Sequence, residues 1–335
     1  MSTTSAPPPG PAARARSARF DAVTLLQRYG IVVPFLMVGA VCVALVPSFL
    51  SNANVANVMV NASIMAIIGY GMTIVIALRG LDLSVGSVQG LAACVTATVI
   101  AQAGLGLGMI AGLFTGVVVG TLNGILVAYL RVPSFVATLG TLGVVRGSAL
   151  LVTGGGTVDG ADPVLSYLAT GRIAGIPIPF LMAVLLLGVW QVIYQYTPFG
   201  RHVCAVGGAP EAAADSGINV RLVTLVAFLA SSMSAAFGGV LLTGQLGLVT
   251  GSLGVSLELQ IIAIAVLGGT SLAGGSGNLT GTLMAALLLA MISSALNLLN
   301  VPSYYQYLAI GILLIFALSL DSVRRYLYRK RLLEG

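Results

Sequence analysis

Residues Val55 to Leu78 read VANVMVNASIMAIIGYGMTIVIAL, a stretch without a single charged side chain. A helix rises 1.5 Å per residue, so about 20 apolar residues cross the hydrocarbon core of a bilayer, and this run is long enough to do so. A transmembrane barrel would alternate apolar and polar residues in segments of about ten, whereas this run is long, mostly apolar and without that alternation. Nine further runs of the same kind follow or precede it, at Ile31 to Leu50, Leu83 to Ala101, Gly108 to Leu130, Ser134 to Val152, Ile178 to Tyr196, Leu222 to Thr243, Leu257 to Leu272, Leu279 to Leu298 and Ser303 to Leu320. The expectation is an all-α polytopic membrane protein of about ten transmembrane helices. Composition agrees: 58% of the 335 residues are hydrophobic and 7% charged, against about 45–50% and 25% in soluble domains.

The formal charge is +6, and its placement decides what it means. Arg14, Arg16, Arg19 and Arg28 lie at the start of the chain, and Arg324, Arg325, Arg329, Lys330 and Arg331 at the end. If both termini are cytoplasmic and the runs alternate, Arg79, Arg131, Arg201 and Arg221 also fall inside and only Arg172 falls outside, which is the positive-inside bias of a membrane protein. An even number of spans puts both basic tails on one side, held near anionic headgroups, and nucleic acid is not an expected partner. Residues 1–27 form a disordered cytoplasmic tail by composition, residues 28–320 a permease-like transmembrane domain, and residues 321–335 a basic cytoplasmic tail. The first apolar run is too long for a signal-peptide core and lacks a small-x-small cleavage site, so it reads as a retained anchor. Cys42, Cys94 and Cys204 lie far apart in sequence and suggest neither a disulfide framework nor a metal site. Residues 153–177 form a long outer loop and residues 197–221 a long inner one.

Enzyme chemistry finds little to work with. The only lysine, Lys330, is in the tail, so no P-loop is present. The single histidine, His202, sits beside Arg201 and reads as a solvated loop residue, which leaves no catalytic triad, no metal site and no cofactor to expect. Asp82, Arg146 and Glu258 are the ionisable residues within or near the spans, all near helix ends, and give thin support for an ion relay. The uncharged polar residues Asn61, Gln89, Asn123, Gln260 and Asn297 can line a path for a neutral polyhydroxylated solute or hydrogen-bond helices together. Of the 43 glycines, Gly108, Gly112, Gly116, Gly120 and Gly124 recur every fourth residue, a stripe on one helical face that lets a neighbour approach closely.

Three glycine-rich segments carry more: GLDLSVGSV from Gly80 to Val88, TPFGRHVCAVGGAPEAAADSGINV from Thr197 to Val220 and VLGGTSLAGGSGNLTG from Val266 to Gly281. With RVPSFVATLGTLGVVRGSALLVTGG from Arg131 to Gly155 and LELQIIAIAVLGG from Leu257 to Gly269, the chain resembles the permease subunit of bacterial ABC importers for monosaccharides of the ribose, xylose and arabinose class. The resemblance spans nearly everything except residues 1–27. It implies a permease of the bacterial inner membrane that works in a pair, as homodimer or heterodimer, with an ABC ATPase subunit on the cytoplasmic side and an extracytoplasmic solute-binding protein. It also implies that a short helix in the inner loop couples to the ATPase; here that loop holds Gly208, Glu211, Ala212, Ala213, Asp215 and Gly217. The family usually carries Gly-Asn where this chain has Gly208 and Ala209, and Arg-Leu where it has Ala214 and Asp215. Gln260 stands where Asp is common, and Arg79 where Gly is common. The function expected is import of a monosaccharide; the same machinery for a branched-chain amino acid or nucleoside, or a stand-alone secondary carrier, are the alternatives.

Overall fold

The structure, a computed structural model, describes residues 30–302 and, beyond them, 305, 308, 311, 312 and 315. The two predicted tails and nearly all of the run Ser303 to Leu320 lie outside the described residues. Seven helices there are long and apolar enough to cross a membrane: α2 (Asn52–Ala77), α3 (Val85–Ala103), α4 (Leu105–Ala128), α5 (Ser134–Thr153), α7 (Ile178–Tyr196), α10 (Val220–Leu246) and α12 (Leu279–Leu298). Two of the expected spans are shorter helices. The first, α1 (Val32–Leu45), gives way to turns before Ser51, and α11 (Leu257–Leu267) stops where Gly268 and Gly269 begin a turn. Short elements fill the connections: β1 (Thr157–Asp159), α6 (Pro163–Thr170), β2 (Arg172–Ile173), β3 (Ile176–Pro177), α8 (Pro198–Gly208), α9 (Pro210–Asp215) and β4 (Leu248–Thr250).

Local chemistry sets the helix ends. Asp162 accepts hydrogen bonds from the Val164 and Leu165 amides with Pro163 at the first helical position of α6, the preferred side chain and the preferred ring at those sites. Asn219 caps α10 and Asn278 caps α12 in the same way.

The bundle is organised around α2. Every residue from Ala62 to Ala77 except Met65 is buried, and a helix apolar and covered on all sides is a core helix. It packs on α10, α12, α7 and α11, joining Ile67, Ile68 and Met72 to Ile261 and Ile264 of α11 and to Leu288 and Leu289 of α12. At the periphery, α7 buries only 17% of its most apolar window, against 83% for α2. Such exposed apolar surface belongs in lipid. Because lipid is as apolar as leucine, close packing rather than the hydrophobic effect must hold the helices together.

The glycine stripe shows how. A Cβ added at Gly112 would stand 2.0 Å from Thr96 Oγ1 and 3.1 Å from the Ala92 carbonyl oxygen of α3. One at Gly116 would stand 2.7 Å from Ala236 Cβ and from the Ser232 carbonyl oxygen of α10, and one at Gly120 would stand 2.7 Å from Leu229 Cα. Gly108 meets α3 and Gly124 meets α10 in the same manner, so one face of α4 is pressed against α3 at the start of the stripe and against α10 over the rest.

The two ends of the bundle are distinct. At one, β1 pairs antiparallel with β4, Val158 opposite Val249, β2 pairs with β3, and Ser166 of α6 donates to the Gly244 carbonyl. At the other, α8 packs on α2, α7 and α10, and Gly275 N–H donates to the Ala77 carbonyl at 2.8 Å. Arg79 sits at this second end, and Arg221 there stacks its guanidinium 5.9 Å from the Tyr129 ring centroid; Arg172, in β2, is at the first.

Replacing Gly116 or Gly120 by leucine forces a side chain into backbone contact, and overpacking typically costs about 1–3 kcal/mol. Thermal unfolding of the detergent-solubilised protein is expected to show that loss for both. A Cβ at Gly140 meets nothing within 4 Å, so Gly140→Leu is expected to leave the melting temperature within error of wild type.

Candidate functional site

A cavity of about 570 Å³ opens between α2, α3, α10, α11 and α12. Asn54, Asn57 and Asn61 project into it from α2, and their spacing of three and four puts them on one helical face. Gln89 enters from α3, Gln245 from α10, Gln260 from α11, and Ser293, Ser294 and Asn297 from α12. The remaining lining among the described residues is aliphatic, methionine or glycine, with no acidic, basic or aromatic side chain among them. Four of the five residues expected along a path, Asn61, Gln89, Gln260 and Asn297, therefore share one cavity. Asn54, Asn57, Gln245, Ser293 and Ser294 join them; the three-and-four spacing of Asn54, Asn57 and Asn61 is a signal that could have found the first two, whereas nothing in the sequence singles out Gln245, Ser293 or Ser294.

These polar groups differ in how committed they are. Asn54 is held on both sides, its amide donating to the Phe49 carbonyl at 2.8 Å while its oxygen accepts from Ser294. Gln245 Nε2 donates to Asn61 Oδ1 at 3.3 Å, linking α10 to α2 across the cavity. Gln89 and Gln260 have no side-chain hydrogen bond among the described residues, although Gln89 is only 4% exposed. A buried amide costs free energy unless something pairs with it, so the cavity presents unused donors and acceptors to whatever enters it.

Asn123 is elsewhere. It is the centre of a buried hydrogen-bond network that pins the irregular segment between α2 and α3: its Nδ2 donates to Ser84 Oγ at 2.9 Å and its Oδ1 accepts from Thr141 at 2.8 Å. Ser84 in turn donates through Oγ and N–H to Asp82 Oδ1, at 2.6 and 3.0 Å. The Leu81 and Leu83 amides donate to Ser134 and Thr138 of α5. The motif GLDLSVGSV thus builds the start of α3 by lending its backbone to α5 and its side chains to α4.

Arg146 and Glu258 frame the other irregular segment, residues 251–256. Arg146 donates through Nη1 to the Leu253 carbonyl and lies within electrostatic reach of Glu258 on the first turn of α11. Gly254 and Gly86 touch backbone to backbone, a Cβ on Gly86 falling 2.3 Å from the Gly254 carbonyl oxygen. Asp82 is thereby tied to one irregular segment, and Arg146 and Glu258 together to the other.

At the α8 end, Ala213 is buried against Val206, Val223 and Ile218, while Glu211, Ala212 and Asp215 are exposed. Gly217 ends α9 at φ +82°, in the left-handed region that L side chains rarely enter. The Gly208 carbonyl accepts from Arg79 Nη2 at 2.9 Å, and Arg79 Nε donates to the Ala273 carbonyl in the turn between α11 and α12.

With this geometry in view, comparison with known proteins is informative. Residues 54–318 match the family model described as the permease component of branched-chain amino acid transport systems. The chain belongs to this permease family. The permease is 35% identical over 325 residues to the galactose/methyl galactoside import permease protein MglC of Escherichia coli (strain K12), covering 90% of this chain and 96% of that one. It is 36% identical over 305 residues to the ribose import permease protein RbsC of Bacillus subtilis (strain 168), covering 90% and 94%. With the L-arabinose ABC transporter permease protein AraH of Azospirillum brasilense it shares 34% identity, covering 95% and 94%. No solved structure matches. The permease is accordingly a multi-pass membrane protein and the transport component of its system.

The two polar systems are separable by mutation. Asn123→Ala removes two buried hydrogen bonds and strands the groups they satisfied, which costs about 1–3 kcal/mol; a lowered melting temperature is the expected reading. Gln89→Ala gives up no hydrogen bond and is expected to leave the melting temperature nearly unchanged.

Proposed function

We propose that this permease is the membrane-spanning subunit of an ATP-driven importer, and that a monosaccharide handed over by an extracytoplasmic binding protein passes through the amide-lined cavity. The observation that carries this reading is the cavity's chemistry. Amides and hydroxyls both donate and accept, so they match a neutral solute whose periphery is hydroxyl groups, and they offer no countercharge to the ammonium and carboxylate of an amino acid. Its volume lies within the range of about 300–1,000 Å³ typical of small-ligand pockets. The similar permeases named for galactose, ribose and arabinose import support the same solute class over the amino acids of the family description.

The cavity has an open side. Asn57, Asn61 and Asn297 line it and are exposed, and polar amide surface turned toward hydrocarbon is costly. A second permease chain covering that side keeps the path wet and polar, so the importer works as a pair in which each chain supplies half of the passage. The end carrying β1–β4 and α6 faces outward toward the binding protein, and the end carrying α8 and α9 faces the cytoplasm in a bacterial inner membrane. The basic residues support this orientation, since Arg79, Arg131, Arg201 and Arg221 gather at the α8 end. Glu211 and Asp215, exposed on α9, then present acidic groups to the ATPase subunit, with Gly208, Ala212, Ala213 and Gly217 shaping the lever that carries its movement.

Two measurements test this. Uptake of radiolabelled D-galactose, D-ribose and L-arabinose, with L-leucine as the amino-acid comparison, in cells expressing the permease with its ATPase and binding protein is expected to show one preferred sugar and no leucine transport. Gln89→Ala and Gln260→Leu are expected to reduce that uptake at least fivefold at wild-type abundance; leucine uptake in preference to every sugar would overturn the solute reading. For orientation, a cysteine at Thr170 in a Cys204→Ser background is expected to react with an impermeant thiol reagent from outside intact cells, and one at Glu211 is not. The reverse pattern would overturn the orientation.

A further inference from the structure

We infer that Arg79 is the positioning residue through which movement of the segment Gly208–Gly217 reaches the helices that line the cavity. This rests on the importer reading of that segment and adds a specific connection to it. The position is an unusual place for arginine: its φ is +64°, a left-handed conformation for which glycine is the natural residue and which strains any side chain bearing a Cβ. A strained residue persists where the surrounding structure holds it, and here the guanidinium is held at two points that belong to different parts of the chain. Nη2 donates to the carbonyl of Gly208, at the end of α8, and Nε donates to the carbonyl of Ala273, in the turn between α11 and α12.

The backbone around this side chain is closely packed. A Cβ on Gly207 would stand 1.8 Å from the Ala77 carbonyl oxygen and 2.8 Å from Gly275 N, and one on Gly274 would stand 2.3 Å from Arg79 Cγ and 2.5 Å from the Gly207 carbonyl oxygen. Gly275 N–H donates to the Ala77 carbonyl. Three chain segments, the end of α2, the end of α8 and the α11–α12 turn, therefore meet with backbone against backbone. Arg79 is the side chain that spans all three.

What lies beyond each segment gives the junction its role. From Ala77 the rigid helix α2 leads to Asn61, and from the 268–278 turn α11 leads to Gln260 and α12 to Asn297, all in the cavity wall. A shift of Gly208 that is passed to Ala273 and to the backbone of Arg79 moves those three helices together. With the guanidinium removed, the segment 208–217 can still engage the ATPase subunit, but its movement is dissipated before it reaches the cavity. The geometry thus assigns Arg79 to coupling and places it outside solute contact.

The test compares wild type with Arg79→Gly and Arg79→Lys. Glycine relieves the left-handed strain and removes the staple, so a purely structural role predicts a protein that is at least as stable and transports normally. The first measurement is hydrogen exchange on the detergent-solubilised permease alone. Arg79→Gly is expected to speed exchange at least tenfold in both 205–211 and 271–277 without lowering the melting temperature. The second is solute moved per ATP hydrolysed, in proteoliposomes holding the permease, its ATPase and its binding protein, with D-galactose, D-ribose and L-arabinose as the solutes. Arg79→Gly is expected to keep hydrolysing ATP while the ratio falls at least fivefold, and Arg79→Lys, which keeps the charge but not the fork of donors, to recover part of it. Wild-type exchange in both segments, or a wild-type ratio in Arg79→Gly, would overturn the inference. If wild-type protein shows no solute-stimulated hydrolysis at all, the importer reading falls and the transmission role with it, while the exchange measurement still decides whether Arg79 joins the two turns.

Discussion

Close approach of one helix backbone to another is the interaction on which the rest of this structure depends. In a soluble protein the burial of Ile67, Ile68 and Met72 would itself hold α2 in place; between lipid-immersed helices that driving force is nearly absent, and dispersion over well-fitted surfaces must replace it. Fit of that quality needs small residues where helices cross. Gly112, Gly116 and Gly120 supply it between α4 and its neighbours α3 and α10, and Gly71 supplies it between α2 and α10, where a Cβ would fall 2.7 Å from Ser231 Cα. The glycine-rich composition is therefore distributed along crossings and is not a sign of looseness.

Within this closely packed frame, two groups of polar side chains have opposite character. Around Asn123 nearly every donor has an acceptor, and the result is a fixed anchor for the irregular segment 81–84. Around the cavity, Gln89 and Gln260 have no side-chain hydrogen bond among the described residues. Satisfied polar groups specify a structure, whereas unsatisfied ones facing a void are ready for a solute. The two kinds of amide look alike in the sequence, and only the arrangement of helices separates them.

That contrast also marks how far the sequence could be read. The membrane class and the long helices follow from composition and run length, because each depends on summed properties of many residues. The glycine stripe was legible for the same reason, its four-residue period being a property of one helix. The assignment of Asn123 was not, because its role depends on Ser84 and Thr141, which reach it from other elements. Nor were the helix breaks legible: Leu257 to Leu272 is mostly apolar, yet α11 ends at Leu267, since the glycines that follow take a turn with Gly269 at φ +98°. Arg79 stood out in the sequence as one of the inner basic residues and as a departure from the resemblance, whereas the two carbonyls it binds are distant in sequence.

The shortness of α11 has a mechanical consequence. Eleven residues rise about 16 Å, roughly half a bilayer, so one end of α11 meets the α11–α12 turn beside Arg79 and the other meets the cavity at Gln260 and the segment 251–256. A full-length span would bury its far end in lipid headgroups and would connect the junction to a surface. A half-length helix connects it to the middle of the bundle, where Gly254 touches Gly86 and where Arg146 holds the Leu253 carbonyl. The irregular segment before α11 can remain at that depth only because its polar backbone is turned inward to these partners and away from lipid. Interrupting the helix thus places a stiff rod between the coupling end and the cavity wall, with backbone contacts at both of its tips.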